Sequence, residues 1–73
     1  MPVTIYPNPT SGLVKIDAAS PILRTELYNL SGEHIMTLNS KSNIIDLSSQ
    51  PKGVYLVKVI TQKDVYVRKV IVH

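Results

Sequence analysis

"VYLVKVITQKDVYVRKVIV", residues 54–72, is two runs of β-branched and aromatic residues around one polar stop. The first run, Val54–Ile60, is apolar throughout save for Lys58. That is the pattern of a central strand, covered on both faces and paired on both edges. The second run, Val65–Val72, alternates until Arg68-Lys69, where two charges fall together. There the spacing predicts a bulge or a strand leaving its partner. Gln62-Lys63 between the runs reads as a turn.

The same grammar extends back to the start of the chain. Short apolar segments at Val3–Tyr6, Leu13–Ala18, Ile22–Leu30, His34–Leu38 and Ile44–Leu47 complete the set, with Gly53–Thr61 and Val65–Val72 at the end. Val14, Ile16 and Ala18 alternate with Lys15 and Asp17, and Leu23, Thr25 and Leu27 alternate with Arg24 and Glu26, giving each strand one wet face. Val and Ile far outnumber Ala, and no segment carries helical spacing. The prediction is all-β: a small Ig-like β-sandwich of about seven short antiparallel strands.

Turn chemistry separates the segments. In "YPNPTSG", residues 6–12, Asn8 and Pro9 fit the first two positions of a type I turn, with the Asn8 side chain bonding the backbone two residues on. Gly12 is free to take a positive φ as the chain reverses into Leu13. Ser31-Gly32 predicts a tight hairpin. Gln50-Pro51-Lys52-Gly53 again has the type I pattern. Further breaks fall at Ala19-Ser20-Pro21 and from Asn39 to Asn43.

Seventy-three residues make one domain with one core. A chain of this size buries roughly 60–65% of its unfolded surface, for a stability on the order of 4–11 kcal/mol. The formal charge of +3 is scattered, with Arg68-Lys69 the only adjacent basic pair, so no nucleic-acid footprint is expected. With no cysteine, disulfides and thiolate metal sites are excluded. Apolar runs fall far short of a membrane span, and no membrane insertion is expected. Strand-like sequence follows Met1 almost at once, leaving no room for a signal peptide. The expectation is a cytoplasmic protein or, alternatively, a domain cut from a longer exported parent.

The residues do not compose a reaction centre. Ser11, His34 and Asp17 supply the types for a nucleophilic triad, but that chemistry also needs a positioned base and an oxyanion site in a pocket. The five acidic residues form neither a calcium loop nor a glycosidase pair, and the three glycines are too far apart for a phosphate loop. No catalytic residue, metal or cofactor is expected. Asn29-Leu30-Ser31 is a formal glycosylation sequon of a kind that arises by chance. Tyr6, Tyr28, Tyr55 and Tyr66 read as packing residues in a core without Phe or Trp. Stacked on one face, they would instead suit a carbohydrate- or matrix-binding module.

Four stretches in order, "YPNPTSG" (6–12), "LYNLSGEHI" (27–35), "IDLSSQPKGVYLVKV" (45–59) and "RKVIVH" (68–73), resemble the C-terminal sorting domains of type IX secretion substrates. The resemblance runs from about Val3 to the last residue. It implies a non-catalytic address label at the end of a large exported protein of certain Gram-negative bacteria. The label would be read by an outer-membrane translocon and shuttle proteins on the way out through the periplasm. A cell-surface signal peptidase would then remove it. By position, Pro7, Asn8, Pro9 and Gly12 match the family's opening corner, Gly32 its hairpin glycine, and Gly53 with Tyr55 its Gly-x-Tyr strand start. Lys69, Val70, Ile71 and Val72 match its terminal basic-apolar run. Two departures stand out: Gln50 replaces a commonly apolar residue, and Gln62-Lys63 lacks the usual turn glycine. A terminal strand with unpaired N–H and C=O groups would offer a handle for strand addition or for self-association.

Overall fold

The computed structural model describes residues 3–39 and 43–73, so the expected break from Asn39 to Asn43 lies partly outside it. The described residues form seven strands and no helix: β1 (Thr4–Tyr6), β2 (Leu13–Asp17), β3 (Ile22–Asn29), β4 (His34–Leu38), β5 (Ile44–Asp46), β6 (Gly53–Thr61) and β7 (Val65–Val72). They make two antiparallel sheets, one in the order β1-β2-β5 and the other β4-β3-β6-β7. The all-β sandwich expected from the alternation is what forms.

Alternation decides what is buried. Val14 and Ile16 on β2 and Ile45 on β5 point into the core, while Lys15 and Asp17 face water. They meet Leu27 of β3, Val57 of β6 and Val70 of β7 in one cluster. The apolar run Val54–Ile60 is indeed interior to its sheet, paired with β3 on one edge and β7 on the other. Tyr55 closes one end of the cluster, and its buried hydroxyl donates to Pro51 O.

Three local expectations need correction. β7 has no slip at Arg68-Lys69: its register with β6 is unbroken from Val65 opposite Ile60 to Val72 opposite Gly53. Arg68 stays on the inner face because its stem lies there while its head finds partners. Nε donates to Val3 O at 3.1 Å, and the guanidinium lies 5.6 Å from the centre of the Tyr66 ring. The irregularities fall in β3 instead, between Ile22 and Arg24 against β6 and between Leu27 and Tyr28 against β4. The first of these puts Ile22 in the core and Leu23 on the surface, against the simple alternation.

The other two corrections concern loops. The Asn8 side chain bonds the last strand rather than the backbone two residues on; the Tyr6-Pro7 and Asn8-Pro9 peptide bonds are both cis. The tight hairpin expected at Ser31-Gly32 does form between β3 and β4, with Gly32 N donating to Asn29 O at 3.0 Å and Asn29 N to Glu33 O. Gly32 takes φ +88°, a left-handed conformation natural to glycine. Before Gly53, the hydrogen-bonded turn closes between Leu47 and Gln50, upstream of Gln50–Gly53.

Candidate recognition surface

β7 is the outermost strand of its sheet, and it ends against the Pro-Asn-Pro corner. Asn8 Nδ2 donates to Lys69 O at 2.8 Å, and Asn8 Oδ1 accepts from Ile71 N at 2.9 Å. Thr10 continues the contact with its main chain, N donating to Ile71 O at 2.8 Å and O accepting from His73 N at 2.9 Å. The result is a short parallel bridge between Thr10 and Val72. Residues 7–12 thus leave the three-stranded sheet, seal the rim of the four-stranded one and return to start β2.

The corner is held from below by Thr10, which is 1% exposed. Its hydroxyl donates to Leu13 O at 2.7 Å and accepts from Gly12 N at 3.0 Å, so a buried polar group is fully paired. Gly12 is buried for a steric reason: a Cβ there would come within 3.0 Å of Ser48 Cβ and 3.2 Å of Ser48 Cα. Its carbonyl accepts from Leu47 N at 2.8 Å, tying the corner to the segment after β5.

Backbone groups of an antiparallel edge strand point alternately to the neighbour and outward. Because Lys69 O and both groups of Ile71 face the corner, those of Val65 and Val67 also face outward. The corner occupies the second half of β7, so the expected open edge is confined to the first half, where Val67 O accepts from Arg68 Nη1 at 3.0 Å. Side chains follow the same parity. Val70 and Val72 are buried, whereas Lys69 and Ile71 are exposed on the outer face beside Val65 and Val67.

The residues singled out by sequence thus divide. Asn8, Lys69, Val70, Ile71 and Val72 come together, with Pro7 and Pro9 flanking Asn8 and Gly53 and Tyr55 paired across from Val72 and Val70. Gly32 does not join them, since its β3–β4 loop belongs to strands on the other side of β6. Thr10 and Arg68 were missed. Thr10's only signal was a hydroxyl between two turn formers, and Arg68's was an even position among inward valines.

Elsewhere the surface carries a small polar cluster. On the outer face of β3, Glu26 accepts from Tyr28 OH at 2.7 Å and from Arg24 Nε at 3.0 Å, with Lys58 Nζ at 3.9 Å. The Tyr28 bond, followed by Arg24, holds the Glu26 carboxyl below its usual range, and the same bond pushes the Tyr28 phenol up. His34 Nε2 lies 2.5 Å from Thr37 Oγ1, and its ring meets Tyr28 edge-on. Among the described residues there is no pocket and no group of three His, Cys, Asp or Glu able to hold a metal ion. The tyrosines do not share a face: Tyr6 and Tyr28 point out of opposite sheets, while Tyr55 and Tyr66 face inward.

Residues 4–73 match the model of the secretion system C-terminal sorting domain, and the chain belongs to that family. The family consists of C-terminal sorting signals of type IX secretion, which take their cargo across the outer membrane to the cell surface or beyond. Signals of this class are generally non-catalytic. No curated protein matches the chain.

Proposed function

We propose that this domain is one such signal, excised from a longer exported parent, and that Lys69 and Ile71 are the side chains the export machinery reads. The observation that carries this is the split within the terminal run: Val70 and Val72 are used up in the core, while Lys69 and Ile71 stand exposed beside them. The partners are the translocon and shuttle proteins that meet the cargo in the periplasm. A cell-surface peptidase then separates domain from cargo. Pro7, Pro9, Gly12, Gly32, Gly53 and Tyr55 serve the fold rather than recognition.

The test is an export assay in a host with type IX machinery. Residues 1–73 are fused behind a linker to an inert fluorescent cargo with a periplasmic signal. The fusion is expected to reach the surface or medium and to lose a fragment the size of the domain. Lys69→Ala with Ile71→Ala, which leaves every backbone bond in place, is expected to hold folded fusion inside the envelope. Export of that double variant at the parental level would sink the assignment of these two residues. A carbohydrate- or matrix-binding role has Tyr6 and Tyr28 in its favour, but they point out of opposite sheets and Tyr28 is already engaged by Glu26 and His34, so neither builds a stacking platform.

A further inference from the structure

The four bonds between corner and β7 are unequal in kind. Thr10 gives its main chain, and its hydroxyl and buried position fix it in the sandwich. Asn8 gives only its side chain. The amide donates to Lys69 O and accepts from Ile71 N, which is what the peptide group of a neighbouring strand would do. Asn8 is exposed, and so are Pro7, Pro9, Lys69 and Ile71 around it. Water therefore competes directly for both of its bonds, whereas those of Thr10 are shielded.

We propose that Asn8 is a latch: its amide imitates a strand and closes the outer edge of β7 at Lys69–Ile71, and its release opens that edge to an extended polypeptide segment. This rests on the reading of β7 as the strand the export machinery engages. With the latch closed, a partner strand finds outward backbone groups only over the first half of β7. With it open, Lys69 O and Ile71 N join the outward groups of Val65 and Val67, of which Val67 O accepts from the head of Arg68 at 3.0 Å, and the edge as far as Ile71 N is long enough for strand addition. Thr10 keeps Ile71 O and His73 N in either state and acts as the fixed point. The partner is an extended main chain with apolar residues alternating toward Val65, Val67 and Ile71, which are exposed on that face.

Amide hydrogen exchange on the domain tests the latch without any secretion machinery. In Asn8→Ala, the Ile71 amide is expected to exchange about tenfold faster, the order expected from losing a pair of net hydrogen bonds. The amides of Ile16 and Leu47, which donate to Asn43 O and Gly12 O, and that of His73 should keep their rates. Asn8→Asp keeps an acceptor for Ile71 N and should restore most of the protection there. A labelled peptide of the β6 sequence, GVYLVKVIT, should bind Asn8→Ala at least about fivefold more tightly than the parent, since the opened edge adds paired backbone groups. An unchanged Ile71 rate would overturn the proposal. So would equal acceleration of Ile16 and Leu47, which would make Asn8 a strut of the whole fold, or peptide binding no tighter than in the parent. These readings are separate from export, so a failed latch leaves the sorting role standing, and failed export leaves the exchange result intact.

Discussion

Thr25 Oγ1 is the buried side-chain polar atom that finds no hydrogen-bond partner among the described residues. It sits on the inner face of β3, between Leu38 of β4 and Val59 of β6. Burying an unpaired hydroxyl costs free energy that a methyl group of the same shape does not. Thr25→Val is therefore expected to raise stability by about 1 kcal/mol. It would be seen as a higher urea midpoint at an unchanged slope, and a lower midpoint would show that the hydroxyl has a partner after all. Thr10 and Thr61 are equally buried but fully bonded, so the same change there would be damaging. Residue type and alternation told that these threonines fit strands or their ends; which of them had a partner depended on loops that only the fold brings near.

At the scale of elements, the hairpin joining β6 to β7 shows how a missing glycine is made good. Thr61 Oγ1 donates to Asp64 O at 2.9 Å and accepts from Asp64 N at 3.0 Å and from Lys63 N at 3.3 Å. A side chain thus does the work of turn geometry, and among the described residues none but glycine takes a positive φ. Thr61→Ala is expected to cost about 1–2 kcal/mol, with Thr61→Ser recovering most of it in the same denaturation measurement; a loss below about 0.3 kcal/mol would mean the turn stands without the hydroxyl. Strand positions were legible because period-two burial is written directly into residues such as Val14 and Ile16. The irregularities were not. A charged residue among valines looked like a slip at Arg68, when its long stem, its bond to Val3 O and its place over the Tyr66 ring simply let it face inward. The true shift beside Leu23 left no mark, since either Ile22 or Leu23 could have filled the core.

Across the whole molecule, acid should act through two carboxylates. Asp46 accepts from Ser48 N at 2.9 Å and Ser48 Oγ at 2.5 Å, which lowers its pKa, as the Tyr28 and Arg24 bonds lower that of Glu26. Groups lowered in the folded state bind fewer protons there than in the unfolded chain, so stability is full above their ordinary values and falls as pH drops below about 4. Tyr28 works in the opposite sense: its raised pKa favours the neutral, folded form until pH climbs past about 10. Thermal melts across pH should give a plateau with both shoulders, and Glu26→Gln should flatten each; an acid shoulder untouched by that change would assign the loss elsewhere. The corner on β7 was the least legible feature at this scale. Nothing local in Pro-Asn-Pro says that its asparagine will be used by a residue more than sixty positions away.

That distance has a consequence for how the domain comes into being. Chains are made from the N-terminal side, so Asn8 and Thr10 exist long before Lys69, Ile71 and His73, the groups they bind. Until the last strand emerges, the rim of the corner has no counterpart and β6 has no outer neighbour. The closing of so large a loop is entropically costly and comes late. The seam between first and last residues therefore acts as a proof of completion: a nascent domain is finished only when its final strand has been delivered to both places that wait for it.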